Sequence, residues 1–510
     1  MDSPIEHVEK FRETFSVHRD RVFVVEGASG QTYTYGDVED GARTVAAWLR
    51  QRGIAQGDRI AVVLPNCVEY VYVHFAATFL GALLVPIHYR WTDDEIEKVI
   101  AVAKPAAVIT TDAIKLRMGD GAFAGIRNII SINIEEESLQ FFLNRIAPLP
   151  RHAFARVTDD DPFIISYTSG TTGRPKGVII QYKNLVQNGT LFIREMGIKE
   201  TDRFYCALPF MYMGGWYNLM SIPFLAGASI VLPQETGSMF FVYYWSEVAR
   251  YHVNVLWLVP SMMAMLLKLQ HEEGVYAYAR QHIRLAIVGT APLLRGLKQS
   301  FEHVFGFPLY ENYGLSETFF LSLNSPLYTQ QRGVGKIFPS CRVEIVGKNG
   351  ERCEPNAEGE IVAESPFAAP GYDGDAQDAL LRNGRVYTGD VGFLDREGYL
   401  FVTGRQKDII IKGGVNISGR EVENVLSEHP SVEEVAVVGV PDAMSGDEVA
   451  AAVTIRKPVS PDEIRQWCAH RLASFKVPKH VFVEQALPKS VTGKIQKHIV
   501  REEMMKKLRT

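Results

Sequence analysis

The sequence predicts an α/β protein with a large N-terminal domain of mostly parallel sheets flanked by helices, a small β-barrel, and a small α+β C-terminal domain. Three observations lead to this fold class. Apolar strand patterns alternate with helix patterns until about Gly333. The strands then become short and closely spaced, with Gly and Asp between them. After Arg405 a separate strand and helix pattern begins.

The N-terminal region starts with the segment QTYTY, which is typical of a strand. The following helix has an apolar face of Val38, Val45, Trp48 and Leu49, and Gly53 suits its end. A second helix is expected near Glu69 to Leu80. The further buried strands are RIAVVLPN, AAVIT, GASIVL, NVLWLV and RLAIVGT. This strand–helix–strand order predicts a mostly parallel sheet with helices on both faces.

The segments CRVEIVG, GEIVAES, RVYTGDVGFLD and GYLFVTG predict a small antiparallel sheet or barrel in residues 333–405. Beyond it, VENVLSEH is typical of a helix, and VEEVAVVGV and DEVAAAVTI of strands. Ser460 and Glu463 around Pro461 predict a capped helix start. We therefore divide the chain into an N-terminal domain, 1–405, and a C-terminal domain, 406–510. Charged residues and a Gly-Gly pair at the junction predict a linker that can bend.

Length and composition restrict the class of protein. A chain of 510 residues is expected to form two or more domains. The net charge of −5 and the lack of a long basic run argue against nucleic acid as a partner. The five cysteines are scattered without a C-x-x-C pair, so neither disulfides nor zinc are indicated. The N-terminus does not resemble a signal peptide, and the most apolar run, residues 75–87, is too short to span a bilayer. We expect a cytoplasmic protein without a transmembrane segment.

The segment YTSGTTGRPKG, residues 167–177, is rich in glycine and hydroxyl groups and contains Lys176. It departs from the P-loop pattern at two positions, because Pro175 precedes the lysine and Gly177 follows it. Proline also lacks the backbone N–H group that could donate a hydrogen bond to a phosphate. Two explanations are open at this point: a different kind of polyphosphate loop, or a solvated hairpin between two strands.

Five motifs resemble those of the adenylate-forming enzymes, which include acyl- and aryl-CoA synthetases, firefly-type luciferases and peptide-synthetase adenylation domains. The first is YTSGTTGRPKGV. The others follow in the family's order: YGLSET (313–318), YTGD (387–390), GRQKDIIIKGGVNI (404–417) and LPKSVTGKIQK (487–497). The resemblance covers essentially the whole chain and is greatest to the acyl-CoA synthetase branch.

The resemblance implies an AMP-forming acyl-CoA synthetase. Such an enzyme uses ATP and Mg²⁺ to convert a small carboxylic acid to an acyl-adenylate, and then transfers the acyl group to the thiol of coenzyme A. The first step gathers negative charge, so positioned cations and amides are its main requirement. The nearest alternative is a ligase that loads the phosphopantetheine thiol of a carrier protein. A luciferase-type oxygenase and a non-catalytic nucleotide-binding relative are weaker alternatives. A homodimer is compatible with the sequence.

The resemblance also implies roles for individual residues. The implied catalytic residues are Lys494, Thr168, Lys176 and Glu317, with Glu317 as the magnesium ligand. The implied cofactor-binding residues are Ser169, Gly170, Thr171, Thr172, Gly289, Thr290, Ala291, Glu311, Asn312, Tyr313, Gly314, Ser316, Asp390, Arg405 and Gly414. Asp390 would bind the ribose hydroxyls, and Gly414 would lie beside the pantetheine tunnel. The loop of Lys494 would deliver this lysine to the carboxylate and the α-phosphate during adenylation. Lys407 matches the hinge about which a mobile C-terminal domain would then swing to build the thioester site.

Each of these residues also has a simpler explanation. Glu317 could be a carboxylate at the start of a helix, Asp390 a turn residue, and Tyr313 a core residue. A single surface lysine such as Lys494 is usually solvated. Tyr182 departs from the histidine that family members often carry after the first motif.

The segment PFMYMGG, residues 209–215, matches a region where the family has an aromatic or histidine gate, and Tyr212 occupies the gate position. The predicted substrate-pocket residues are Tyr212, Met213, Gly214, Trp216 and Leu315. No acid or base stands in this segment to receive the ammonium group of an amino acid. These residues favour a hydrophobic acid, aliphatic or aromatic; the alternative is that they belong to the core.

Overall fold

A computed structural model of the chain describes residues 6–119, 123, 125–126, 128–132, 147–168, 175–234, 238–269, 271–347, 349–374, 381–382, 384–413, 415–442, 444–490 and 493–509. Within these ranges the chain forms four β-sheets and the helices that cover them. The helices α1 to α8 are Glu6–Val17, Tyr35–Gln51, Val68–Leu80, Asp93–Ala103, Asp112–Met118, Tyr182–Met196, Met213–Gly215 and Ile222–Leu225, with a π-helix, Trp216–Ser221, between the last two. The helices α9 to α15 are Ser238–Arg250, Pro260–Lys268, Glu273–His282, Arg295–Phe305, Gly419–Ser427, Pro461–Ala469 and Lys497–Arg509.

The strands are numbered in chain order. Strands β1 to β13 are Val22–Glu26, Thr32–Thr34, Arg59–Val63, Leu83–Pro86, Ala107–Thr111, Asn128–Ile132, Pro162–Thr168, Lys176–Gln181, Arg203–Tyr205, Ser229–Leu232, Val255–Leu258, Leu285–Val288 and Leu309–Leu315. Strands β14 to β25 are Phe319–Leu323, Lys336–Ile337, Arg342–Val346, Gly359–Glu364, Leu381–Arg382, Arg385–Leu394, Leu400–Arg405, Ile409–Lys412, Val415–Ser418, Val432–Asp442, Gly446–Ile455 and His480–Val483.

The N-terminal region contains two mainly parallel sheets. A six-stranded sheet has the order β6-β5-β3-β4-β7-β8, and only its β7–β8 pair is antiparallel. A nine-stranded sheet has the order β15-β14-β13-β12-β11-β9-β10-β1-β2, and its strands from β13 to β1 run parallel. Strands such as β4 and β11 are buried at every residue, as expected for strands covered on both faces. The predicted mixed α/β class is confirmed.

The remaining two sheets are smaller. Strands β16, β17, β18, β19 and β20 form an antiparallel sheet around a small apolar core. Strands β21 to β25 form the last sheet, with apolar clusters on both faces. Helix α14 starts with the predicted capping box, in which Ser460 accepts from the backbone N–H of Glu463 and the Glu463 side chain accepts in return. In the described part of the chain, no helix is both long and apolar enough to cross a membrane.

The C-terminal sheet and its helices pack on the rest of the molecule through several polar contacts and an apolar contact of Leu294. Lys268 of α10 pairs with Glu433 at 2.7 Å. The backbone N–H of Arg295 donates to the Asn424 side chain at 3.3 Å. A Cβ on Gly296 would come within 2.5 Å of the Ser427 carbonyl oxygen, so α12 and α13 approach closely at their ends.

Candidate active site

The carboxyl ends of β11 and β12 form the edge of the nine-stranded sheet where several nucleotide-binding residues were predicted. Gly289 follows β12, and Asn312 lies beside it on β13. A Cβ on Gly289 would lie 2.5 Å from Asn312 Oδ1, so a larger residue would displace the amide. Thr290 has a φ of 69°, which is unusual and strained for a β-branched residue. Ligands of open parallel sheets bind at this edge.

The amide of Asn312 supplies a direct indication of a ligand. Its Nδ2 atom is buried and has no hydrogen-bond partner among the described residues. A buried donor left unpaired costs about 1–3 kcal/mol, and a bound acceptor would remove that cost. A nucleobase edge fits this requirement. Glu311, by contrast, is already paired with Lys298 at 2.9 Å.

Asp390 connects three strands at the site: its own strand β19, the neighbouring strand β20, and β13 of the nine-stranded sheet. It lies on β19 directly opposite Arg405 of β20, and Arg405 Nε approaches Asp390 Oδ1 at 2.8 Å. The Tyr313 hydroxyl donates to Asp390 Oδ2 at 2.7 Å. Burial raises the pKa of Tyr313, and the Asp390 carboxylate raises it further, so the phenol remains a donor. Asp390 is therefore a buried, paired carboxylate in a strand, and it does not lie in a turn.

Glu317 lies in the short turn between β13 and β14, not at the start of a helix. The Tyr372 hydroxyl donates to Glu317 Oε1 at 2.9 Å. Tyr372 forms a bridge with Val178 of β8, so the turn is tied to the β7–β8 hairpin. In the described part of the chain, no group of three or more His, Cys, Asp or Glu side chains is arranged to hold a metal.

The hairpin that carries the first motif is formed by β7 and β8, and Thr168 and Lys176 are directly opposite each other where it leaves the sheet. Ser169, Gly170, Thr171 and Thr172 lie outside the described residues. Lys176 is half-buried. Tyr167 donates to Asp373, which also pairs with Arg59 at 2.7 Å. The base of the loop is thus anchored to the body of the sheet.

The predicted substrate residues lie between the two mainly parallel sheets. Tyr212 and Met213 are half-buried, and Gly214 and Trp216 are buried. A Cβ on Gly214 would lie 3.4 Å from Thr290 Cγ2, which brings this segment against the sheet edge described above. The Tyr212 ring lies 5.6 Å from that of His88. Burial lowers the pKa of His88 to about 4, so this ring is neutral at neutral pH.

Lys494 reaches the site from the C-terminal domain. Its loop is closed by hydrogen bonds from the Ser490 N–H to the Lys494 carbonyl and from the Gly493 N–H to the Ser490 carbonyl, both 2.8 Å. Gly493 has a φ of 75°, and a Cβ there would lie 2.3 Å from Ser261 Oγ of α10. Burial lowers the pKa of Lys494, Arg405 lowers it further, and Asp390 opposes the shift. Lys494 as a whole residue is exposed, so the burial that lowers its pKa concerns the ammonium end, on which the charges of Arg405 and Asp390 also act.

Arg420, at the start of α13, is a second C-terminal cation at the site, and the sequence analysis missed it. Its Nη1 atom donates to the Val402 carbonyl of β20 at 2.6 Å. Burial lowers the pKa of Arg420, and Glu311, Glu423 and Asp390 oppose this shift, so three carboxylates surround it. No sequence motif marks this residue, because its position depends on how the domains pack. Tyr372, which holds Glu317, was missed for a similar reason.

The remaining predicted residues fall into three groups. Gly314, Leu315 and Ser316 lie at the end of β13 and in the turn that follows it, and a Cβ on Gly314 would overlap the Phe319 carbonyl. Ala291 follows Thr290. Lys407 is exposed in a short 3-10 helix, Gln406–Asp408, between β20 and β21. Gly414 lies outside the described residues.

Comparison with known proteins identifies the family. Residues 11–373 match the AMP-binding enzyme family, and residues 421–494 match the AMP-binding enzyme C-terminal domain. The chain therefore belongs to the AMP-binding enzymes, and the resemblance to the acyl-CoA synthetase branch of the adenylate-forming enzymes is confirmed. It is 30% identical to a long-chain-fatty-acid–CoA ligase of Bacillus subtilis, over 93% of this chain and 90% of the relative.

Two solved structures extend the comparison. The ATP-bound MatB of Rhodopseudomonas palustris is 26% identical, with a TM-score of 0.89 over 98% of this chain and 99% of that one. The o-succinylbenzoate CoA synthetase MenE of Bacillus subtilis, in complex with ATP and magnesium, is 27% identical, with a TM-score of 0.81 over 96% and 98%. The two named acids, a long-chain fatty acid and o-succinylbenzoate, differ widely within this family.

Proposed function

We propose that this enzyme, an ATP-dependent acid–CoA ligase of the AMP-forming class, activates a hydrophobic carboxylic acid. The observation that carries the proposed chemistry is the Asp390–Arg405 pair, whose charges act on Lys494 of the C-terminal domain. In this proposal Lys494 is a cation that one domain supplies beside the nucleotide-binding residues of the other. Tyr212 and Met213 supply an apolar, half-buried wall for the acid.

Each residue of the site would have a separate role in the first reaction, adenylation of the acid. Asn312 would pair with the adenine edge through its unpartnered amide. Asp390 would accept hydrogen bonds from the ribose, while Tyr313 and Arg405 hold its carboxylate in place. Lys494 would hold the negative charge shared by the acid and the α-phosphate. Charge stabilisation by a positioned donor is usually the largest single contribution to such a step.

Glu317 would hold the magnesium ion. Mg²⁺ commonly binds through one or two carboxylates together with substrate phosphates, so a single carboxylate suits it. Tyr372 orients the carboxylate with one hydrogen bond and ties it to the hairpin that ends at Lys176. The metal would neutralise phosphate charge as pyrophosphate leaves. Lys176 and the hydroxyls of its loop would contact the β- and γ-phosphates.

The acyl acceptor of an acid–CoA ligase is coenzyme A. This agrees with the CoA-ligase relatives and with the segment IIIKGGVNI, which resembles CoA ligases more than carrier-loading domains. In this proposal Lys407 is the hinge, the N-terminal domain ends at Arg405, and the C-terminal domain swings between the two half-reactions. A cytoplasmic location and a homodimer belong to the same proposal.

The test is a screen of carboxylic acids for ATP–pyrophosphate exchange, followed by comparison of free CoA with a phosphopantetheinylated carrier protein as acceptor. We expect exchange with a hydrophobic acid and thioester formation with free CoA. Thioester formation with the carrier alone would identify a carrier-loading ligase. Glu317→Gln, compared with wild type across a magnesium titration, should require more metal for exchange. An unchanged titration would show that Glu317 is structural.

A further inference from the structure

The helical segment that follows the glycine pair Gly214–Gly215 is unusual. Residues Trp216–Ser221 form a π-helix, all six are buried, and the Ser221 hydroxyl donates to the Trp216 carbonyl at 2.8 Å. Wide turns of this kind are rare and frequently lie at functional sites. Trp216 and Tyr217 come directly after Gly215, and the preceding residue of the pair, Gly214, lies against Thr290 at the candidate site.

Behind this turn a group of aromatic rings fills the space between the π-helix, α6 and the nine-stranded sheet. Phe192 stacks on Phe320 at 4.2 Å and on Trp257 at 5.4 Å between ring centres. Tyr217 contacts Phe319 at 4.9 Å and Phe320 at 5.9 Å. Each ring is at least nine-tenths buried. We call these five residues the aromatic floor.

The sheet register places the aromatic floor on the same face as the candidate nucleotide site. Trp257 of β11 is opposite Ile287 of β12, and alternate residues of a strand share a face. Gly289 is two residues beyond Ile287 and lies against Asn312. Trp257, together with the rings packed on it, therefore lies on the face of the sheet to which Ile287 belongs, toward the end where Gly289 and Asn312 are found. A long chain entering past Gly214 would have to displace closely packed rings.

Three buried N–H groups of this region have no hydrogen-bond partner among the described residues. They are Nδ2 of Asn188 and Nε1 of Trp216 and of Trp257. The side-chain oxygen of Asn188 does have a partner, because Oδ1 accepts a hydrogen bond from the Tyr217 hydroxyl at 2.8 Å. This bond determines the orientation of the amide. Unpaired buried donors are costly, and a ligand acceptor would satisfy them.

We propose that the acid pocket takes a compact carboxylic acid, with one ring or a short chain, that carries a hydrogen-bond acceptor away from its carboxylate. This inference rests on the proposed function and narrows its substrate class. The aromatic floor limits the length of the acid, and its apolar rings contact the body of the acid. The N–H groups of Asn188 and the two tryptophans select the acceptor, because leaving them unpaired lowers affinity for an acid without one.

The first experiment measures kcat/KM for acid-dependent pyrophosphate release by the full-length enzyme. The acids are benzoate, its hydroxyl- and methoxy-substituted forms, butanoate, 3-oxobutanoate and hexadecanoate. We expect at least one acceptor-bearing compact acid to exceed hexadecanoate and its own unsubstituted parent by about tenfold or more. Hexadecanoate as the best substrate would overturn this inference and leave the proposed function standing. Absence of pyrophosphate release with every acid would overturn both.

Variants test whether the aromatic floor is responsible. Asn188→Asp keeps the size of the side chain and the oxygen that accepts from Tyr217 but removes the donor, so it should lower kcat/KM about tenfold for the acceptor-bearing acid and little for its parent. Trp257→Ala should raise the relative rate with longer acids, and Trp257→Phe serves if that variant does not fold. Trp245→Ala is the matched control, because Trp245 is equally buried with an unpaired Nε1 but packs on Phe305. An equal change of acid preference in the control would overturn the proposal.

Discussion

The two halves of the candidate site are built differently. The nucleotide half lies on strands of two sheets, with Asn312 and Tyr313 on β13 of the nine-stranded sheet and Asp390 and Arg405 on the neighbouring strands β19 and β20 of the small antiparallel sheet. The hydrogen bond from Tyr313 to Asp390 joins the two pairs. The C-terminal half, Lys494 and Arg420, reaches the same place across a domain boundary. The first half is positioned by the fold itself. The second depends on how the two domains pack, so it can change without unfolding either domain.

Several contacts at that boundary are polar. They include the Arg420 hydrogen bond to Val402, the Lys268–Glu433 ion pair and the bond from Ser418 to the Thr403 carbonyl. Polar interfaces between domains resemble those of transient complexes and permit relative motion. Substitutions in the nucleotide half should therefore affect both half-reactions, whereas substitutions in the C-terminal half should affect mainly adenylation.

The largest effect is expected from Lys494→Ala. Loss of one positioned charge should lower the rate of adenylation by about two to three powers of ten. A supplied acyl-adenylate should react with CoA almost as fast as with wild type, because we propose that Lys494 moves away for that step. Rapid-quench measurement of the two half-reactions checks this. Equal losses in both would contradict the division between the halves.

Lys494→Arg is the control for charge, and it also gives a prediction about pH. Because the pKa of Lys494 is lowered, the lysine loses its proton at a lower pH than an ordinary lysine. Wild-type adenylation should therefore fall as pH rises through that lowered pKa. The arginine variant stays charged and should show no such fall, whatever its absolute rate. Parallel pH profiles for the two enzymes would contradict the assignment.

Asp390→Asn should have the next largest effect, and it should act on both half-reactions. The change keeps the shape of the side chain but removes a charge that Arg405 and Tyr313 share. We expect affinity for AMP to fall about tenfold or more, since hydrogen bonds to a charged group contribute about 1.5–3 kcal/mol. Calorimetry with AMP measures this. Lys494→Ala is the contrasting control, because its AMP affinity should be nearly unchanged.

Arg420→Met should have a smaller effect, confined to adenylation. Methionine keeps much of the apolar stem but removes the bond to Val402 and the charge beside Asp390 and Glu311. We expect adenylation to slow by about threefold to tenfold and thioester formation to be unaffected. Arg465→Met is the control, since Arg465 pairs with Asp462 within α14 on the exposed surface. Loss of both half-reactions would show that Arg420 only stabilises the C-terminal domain.

The same contrast explains what the sequence could predict. Strand and helix patterns indicated the parallel sheets, and Ser460 with Glu463 indicated a helix start, because these signals are local. The residues that contact Asp390 or act on Lys494 could not be predicted from such local signals, because strand register and domain packing bring together residues that are distant in the sequence. Arg420 and the aromatic floor were missed for this reason. Trp216 was singled out, but the π-helix that positions it has no pattern that distinguishes it from an α-helix.

The smallest effect on the reaction is expected in the core of the N-terminal region, away from the candidate site. His74 is buried on α3 against Phe75 and Phe163, and burial lowers its pKa to about 3. In the unfolded chain this histidine titrates near its ordinary value of 6.5. As pH falls below that value, the His74 imidazole binds a proton in the unfolded state but stays neutral in the folded state, so the free energy of unfolding decreases.

His74→Phe should remove this contribution and leave the half-reactions unchanged. Between pH 7 and pH 5 the wild type should lose about 2 kcal/mol more stability in the N-terminal unfolding transition than the variant, at about 1.4 kcal/mol for each unit of pKa shift. Urea unfolding at the two pH values measures the difference.

His88→Asn is the comparison, because His88 is also buried with its pKa lowered to about 4 but lies beside Tyr212. His88→Asn should also reduce the loss of stability between pH 7 and pH 5. Unlike His74→Phe, it should in addition change KM for the carboxylic acid substrate. Identical pH dependence in wild type and His74→Phe would show that the buried ring is accommodated in its charged form.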